Sequence, residues 1–169
     1  MTPEFRRLAA DDLTLLHDWL QREHVKRWWR DCESLDDVVT HYLPAIEGRE
    51  PADLYAIVVD GRPVGMVETY LVADYPEYDE LVRVGPGVAG VDLLVGEEEL
   101  TGHGLGPEVL RRFVDGVVFA RSATTACIAG VEIGNERSLR AFEKAGFVAV
   151  RDYEEEGRPH RLVRRDRPG

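Results

Sequence analysis

The sequence predicts a mixed α/β (α+β) fold, a sheet covered by helices, and two observations carry that expectation. A meander of strand-like segments in the first half gives way to alternating strands and helices in the second, an order that builds a mixed sheet. At the junction, the apolar run Gly87 to Val95 leads into the glycine-rich turn Thr101-Gly102-His103-Gly104-Leu105-Gly106 and then an amphipathic segment. The 169 residues suit one domain with a full core, and a 44% hydrophobic composition is that of an ordinary globular protein, so residues 1–169 are expected to form a single domain.

Phe5 to Leu8 is the first element, a short strand candidate. Asp11 to Gln21 has Leu13, Leu15, Leu16, Trp19 and Leu20 at helical spacing, with Asp11 available as a cap. Trp28-Trp29 lies in a polar stretch without periodicity. Ser34, with Asp37 three positions on, starts a helix that reaches about Ile46. Leu54 to Val59 and Pro63 to Leu71 form a hairpin around Asp60-Gly61, a strong turn signal, and Tyr75 to Tyr78 reads as loop. After the strand 87–95 and the glycine turn, a helix is expected over 107–120, carried by Val109, Leu110, Phe113, Val114, Val117 and Val118, with Pro107 in its first turn. Thr125 to Val131 is a strand, Asn135 to Ala145 a helix ended by Gly146, and Phe147 to Tyr153 a strand. Glu154-Glu155-Glu156-Gly157 turns the chain into a last strand near His160 to Arg164, and residues 165–169 read as a frayed tail.

Composition excludes several classes of function. The N-terminus lacks the apolar run of a signal peptide and no stretch is long enough to span a bilayer, so a cytoplasmic protein without a membrane partner is expected. Cys32 and Cys127 form neither a disulfide framework nor a metal pattern, and no His/Cys/Asp cluster has metal spacing, so no metal is expected. A net charge of −11 argues against nucleic acid and favours cationic partners, although an acidic surface that only keeps the protein soluble is the commoner origin of such a charge. The glycine turn points several N–H groups outward at a helix start, which suits a phosphate or pyrophosphate; taken alone, a plain strand-to-helix turn explains it as well.

The chain beyond the turn is more specific. A strand leads to Asn135-Glu136-Arg137-Ser138-Leu139-Arg140-Ala141-Phe142-Glu143-Lys144-Ala145-Gly146-Phe147, and the pair of motifs in this order resembles the GNAT acetyltransferases. The likeness extends to aminoglycoside 6′-N-acetyltransferases through Val25-Lys26-Arg27-Trp28-Trp29, Tyr42-Leu43-Pro44, Gly61-Arg62-Pro63-Val64-Gly65, Glu68-Thr69-Tyr70 and Pro86-Gly87-Val88-Ala89-Gly90-Val91-Asp92. It runs from about Phe5 to Leu162 and is weakest in 72–84 and the C-terminal turn. Two departures stand out. Thr101 occupies a position usually held by Gln or Arg, and Phe142 replaces a Tyr commonly proposed to protonate the departing CoA thiolate.

The resemblance implies a central, mostly antiparallel sheet with a splayed parallel strand pair, flanked by helices, and acetyl-CoA as co-substrate. It places the thioester at the backbone of Leu93, Leu94 and Val95, where the Leu93 and Leu94 amides donate to the developing oxyanion. Thr101, Gly102, His103, Gly104, Leu105 and Gly106 would cradle the pyrophosphate, and the stretch holding Asn135, Ser138, Phe142 and Lys144 would line the pantetheine arm or thiol. Asn135 is equally an ordinary helix N-cap, and the two roles can coexist. His103 itself reads as solvent-facing.

Asp92 is the residue expected to carry the chemistry. By strand alternation it shares a face with Val88, Gly90 and Leu94, and an acid inside an apolar strand is costly to bury unpaired. A solvent-facing strand edge is the plainer explanation from pattern alone; the matching context favours a carboxylate that holds the acceptor's ammonium and takes its proton, directly or through water. Glu68, Glu132 and Glu156 are further acids for a polycation, and Trp28, Trp29, Tyr42 and Tyr70 are rings for its sugars, although each alone is more often a surface acid or a core aromatic. Asp74, Glu77, Asp79 and Glu80 form another acidic loop with no assigned role. Cys127 lies in a buried-looking strand and no Ser-centred elbow is present, which favours direct transfer over an acyl-enzyme.

The expected protein is an acetyl-CoA-dependent N-acetyltransferase, monomer or homodimer, that modifies the 6′-amine of a cationic aminoglycoside and so confers antibiotic resistance. The alternatives are another amine acceptor (a polyamine, a siderophore precursor, a protein lysine or N-terminus) and a non-catalytic module that binds acyl-CoA or drug.

Overall fold

The computed structural model describes residues 1–30 and 34–169. Cys32 falls outside them. Strand β1 (Glu4–Arg7) precedes helices α1 (Leu13–Gln21), α2 (Glu23–Lys26) and α3 (Leu35–Ile46), then strands β2 (Asp53–Val59) and β3 (Arg62–Leu71). Helix α4 (Pro76–Val82), β4 (Val88–Val95), α5 (Leu105–Phe113), β5 (Ala126–Glu132), α6 (Glu136–Lys144), β6 (Val148–Glu155) and β7 (Arg158–Asp166) complete the chain. The strands make a seven-stranded sheet in the order β1-β2-β3-β4-β5-β7-β6. Pairing is antiparallel at β1–β2, β5–β7 and β6–β7. It is parallel at β4–β5, where Val88, Ala89 and Gly90 face Ala126, Cys127 and Ile128.

The chain forms two compact units, residues 1–68 with 92–103 and residues 69–91 with 104–169, and β3 and β4 each contribute to both. In the first, α1 presents Leu13, Leu16, Trp19 and Leu20 along one face to Val25, Val38, Tyr42, Leu54, Ala56, Met66 and Leu94. The hairpin turn is as expected, with Asp60 and Gly61 both left-handed at φ 51° and 75°. Ser34 Oγ accepts from the Asp37 amide, and the Asp37 carboxylate accepts from the Ser34 amide in return, so α3 starts on a capping box. At α1 the active carboxylate is Asp12 rather than the expected Asp11: it accepts from the Ala9 amide at 2.8 Å and from both Arg6 terminal nitrogens at 2.7 and 2.9 Å. The Arg6 guanidinium holds its carboxyl below the usual range.

The second unit differs from expectation in three places. The supposed loop at Tyr75 to Tyr78 enters α4, with Pro76 at its first turn and Arg83 left-handed at its end. The segment 76–80 is acidic, and the apolar anchor needs Tyr78 and Val82 read together, four residues apart, as they pack with Val72, Val88, Ala126, Ile128 and Leu162. The helix expected over 107–120 begins earlier, at Leu105, and changes to a π-helical turn at Val114–Val118. Residues 165–167 of the expected tail are held in place. Strand β7 runs through Asp166, Arg165 Nη2 donates to Asp115 at 2.6 Å, and the Arg167 guanidinium donates to the carbonyls of Phe119, Arg121 and Thr124 at 2.5 to 2.9 Å.

Candidate acetyl-transfer site

Strand β4 is buried residue by residue from Val88 to Val91, and exposure begins at Asp92. Asp92, Leu93 and Val95 are half-buried, while Leu94 is 4% exposed. The first carboxylate of the strand therefore sits where the apolar burial ends. Beside it the β3 backbone comes very close. A Cβ at Gly65 would collide with the Leu94 carbonyl and lie 3.1 Å from Val95 Cα, so only glycine fits there.

The segment leaving β4 is clamped by side chains that sequence patterns do not single out. Gly96 N donates to Val64 O at 2.7 Å, and a Cβ at Gly96 would enter the Trp19 ring. His24 Nε2 lies 2.9 Å from the Val95 carbonyl, and Arg22 Nη1 donates at 2.8 Å to both Gly96 O and Glu97 Oε2. Glu97 also receives Trp19 Nε1 at 3.4 Å and pairs with Arg62 at 3.2 Å. Burial pushes the Glu97 carboxyl up, but Arg22, Trp19 and Arg62 together outweigh it and hold it below its ordinary value. Arg22 and Glu97 are 75 residues apart, and nothing in the local pattern of either announces the other.

The glycine turn has the shape its composition suggests. Gly102 and Gly104 are left-handed at φ 76° and 84°, and Gly104 is the N-cap of α5. Gly102, His103 and Gly104 are exposed, Leu105 is buried, and Thr101 Oγ1 donates to Glu98 O at 2.7 Å, fixing the entry. A Cβ at Gly104 would meet nothing within 4 Å, so the space over the turn is open at a helix start. That suits an anionic group of the CoA kind.

On α6, Asn135 Oδ1 accepts from the Ser138 amide at 3.3 Å, realising the cap, and Asn135 is half-buried. Phe142 is 3% exposed and packs edge-to-face on Phe147, with centroids 5.0 Å apart. Lys144 is exposed, and its carbonyl accepts from Arg111.

The residues expected from the sequence to meet the acceptor lie at several places in the fold. Glu68 and Tyr70 are half-buried on β3, and the Tyr70 ring covers Gly90 and meets Tyr75 and Tyr78 edge-on. Trp28 and Trp29 are half-buried, with Trp29 against the core of the first unit. Tyr42 corrects the expectation: it is 2% exposed, set among Leu16, Trp19 and Val38, and presents no ring face to a sugar. Its position on α3, one turn beyond Val38 on the core side of that helix, explains the burial. Glu132 is brought to Arg158 at 3.0 Å, and exposed Glu156 reaches the same guanidinium at 3.4 Å. The acids Glu77 and Glu80 line an open groove with Leu81, Arg83, Arg151 and Tyr153. Among the described residues no group of three His, Cys, Asp or Glu side chains is placed to hold a metal, and no helix is long and apolar enough to cross a membrane.

Comparison with known proteins gives a consistent picture. A family model described as an acetyltransferase (GNAT) domain matches residues 9–154. The chain is 31% identical over 145 residues to aminoglycoside N(6′)-acetyltransferase type 1 of Klebsiella pneumoniae, covering 84% of this chain and 72% of that protein. It superimposes on the AAC(6′)-Ib structure solved with acetyl-CoA at a TM-score of 0.90, with 28% identity, covering 99% of this chain and 94% of that one. The structure of AAC(6′)-Ib with coenzyme A and kanamycin gives a TM-score of 0.89 at 28% identity, covering 98% and 95%.

Proposed function

The chain belongs to the GNAT acetyltransferase family, and from that premise we propose that it moves acetyl from acetyl-CoA directly to the 6′-amine of a cationic aminoglycoside. The observation that carries this reading is Asp92, a carboxylate at the point where apolar β4 first opens, immediately before Leu93 and Leu94. The likeness to proteins that act on or bind aminoglycosides supports the acceptor class.

Each residue has a role in the proposed chemistry. Backbone amides of residues 102–106, at the start of α5, hold the pyrophosphate of acetyl-CoA beside Thr101, whose own amide donates to Glu98 O, while Asn135 and Ser138 meet its pantetheine arm beside Phe142 and Lys144. The Leu93 and Leu94 amides donate to the thioester oxygen as it gains charge, and Val95 continues the strand backbone along the arm. Asp92 pairs with the acceptor's ammonium, takes its proton directly or through water, and frees the amine to attack. The amine–carbonyl bond forms, the nitrogen gives up its second proton to water, the carbon–sulfur bond breaks, and the thiolate leaves with the electron pair. Water protonates it, because the buried Phe142 ring has no O–H. Glu68, Glu132 and Glu156 attract the remaining ammonium groups, and Trp28, Trp29 and Tyr70 offer apolar surface.

The test is CoA-thiol release on mixing the protein with acetyl-CoA and kanamycin or tobramycin, followed by mapping the acetyl position on the product. Release with acetylation at the 6′-amine supports the reading. Release only with polyamines or lysine peptides moves the acceptor class, and binding without release removes the catalytic claim.

A further inference from the structure

The β6–β7 hairpin carries a cation of its own to two of the acids assigned above. Arg158 opens β7 directly after the turn Glu156-Gly157, whose residues are both left-handed at φ 51° and 75°. The Arg158 guanidinium meets an acid of the turn and an acid of β5: Nη2 lies 3.4 Å from Glu156 Oε2 and Nε lies 3.0 Å from Glu132 Oε1. The register fixes this placement. Glu132 at the end of β5 pairs with His160, and the Ile133 amide donates to Pro159 O at 3.0 Å, so the start of β7 is tied to the end of β5. Tyr153 supports it from β6, tilted on the His160 ring with centroids 5.6 Å apart and donating to Glu155 at 3.2 Å.

Two features make this pair exchangeable. Arg158 Nε, although buried and close to Glu132, makes no well-directed hydrogen bond, so the contact is held by charge rather than by a geometric fork. The Arg158 side chain is 38% exposed and Glu156 78%, so the guanidinium has a way out to water, whereas Glu132 is 14% exposed and loses its solvation if left without a cation. An ammonium arriving at Glu132 replaces one positive charge with another.

We propose that Arg158 is a specificity-determining residue, a resident counter-ion that competes with the acceptor's ammonium groups for Glu132 and Glu156. The inference rests on the assignment of those two acids to acceptor binding. Arg158 keeps Glu132 neutralised while no acceptor is bound, and an acceptor gains this carboxylate only by displacing it. A polycation offsets that cost better than a monoamine, because its other ammonium groups find other acids.

The experiment is calorimetric titration of kanamycin into the parent, Arg158→Ala, Arg158→Gln and Arg158→Lys, with Arg49→Ala as an exposed control that removes the same charge from a loop remote in sequence. Removing a half-exposed ion-pair competitor is expected to tighten kanamycin binding by about two- to fivefold in the Ala and Gln variants. Arg158→Lys stays at the parent value, Arg49→Ala changes little, and acetyl-CoA binding is unchanged throughout. Thermal melts identify a variant that fails to fold, and the Gln variant then carries the test. Weaker kanamycin binding in the folded Ala or Gln variant, or equal binding in parent and variants, overturns the inference. Thiol release by the parent is scored separately. Absence of release with any aminoglycoside defeats the proposed function, whereas release with no gain on removing Arg158 defeats this inference alone.

Discussion

Phe142 packs edge-on against Phe147 with 3% of its surface exposed and has no O–H to offer a leaving thiolate. With water as the proton donor, the Phe142→Tyr variant is expected to raise kcat and to add an alkaline limb to its pH profile as the phenol ionises. An identical rate and profile in both proteins shows that the acid is not needed. Asp92→Asn is expected to lower kcat/KM by about 10²–10⁴-fold while acetyl-CoA binding is retained, the loss typical of a removed general base. Calorimetry with acetyl-CoA alongside kinetics checks it, and undiminished turnover sinks the role. At this scale the sequence is informative where a residue breaks a local pattern. An acid in an apolar strand and an Asn before a helix can both be seen without a structure. Tyr42 is misread because an aromatic ring looks the same in a string whether it stacks on a ligand or, as here, fills a core. The Arg158–Glu132 pair is invisible there because strand register creates it.

Among the elements, β4 and the turn behind it depend on the clamp that Trp19, Arg22, His24 and Arg62 place on residues 95–97. Glu97 has a depressed folded-state pKa, so its contribution to stability is fully present above the unfolded carboxylate pKa and is lost as pH falls through the folded value. Glu97→Gln is therefore expected to lower stability at neutral pH by about 1–3 kcal/mol, the scale of a lost charged hydrogen-bond acceptor. The difference from the parent should shrink as the solution is acidified below the carboxylate range. Melting curves from pH 7 downwards measure this, and a pH-independent difference contradicts it. The elements with clean periodicity, α1 and α3, and the Asp60-Gly61 hairpin are legible in the sequence. Helix α4 is not, since its acidic first turn outweighs its two apolar anchors, and the π-helical turn at Val114–Val118 continues the same apolar pattern as an α-helix and leaves no separate trace.

For the whole molecule, the net charge of −11 acts on any cationic acceptor before contact. The KM for kanamycin is expected to rise about two- to tenfold between ~0.05 and ~0.5 M salt as the Debye length shortens, while the KM for anionic acetyl-CoA does not rise. Steady-state kinetics across that range decides it, and a flat kanamycin KM removes long-range attraction from the account. The mixed sheet and its flanking helices are readable from the order of strand-like and helical segments. The position of β7 is not, because nothing in consecutive segments says that the last strand enters between β5 and β6. That order has a consequence for synthesis. As the ribosome delivers the chain from its N-terminus, β5 and β6 emerge with the edges that β7 will pair still bare, and they stay so until residues 158–166 arrive. A nascent or prematurely terminated chain ending before Arg158 thus exposes two unpaired strand edges to its neighbours, and a chaperone that shields them has its clearest opportunity in that interval.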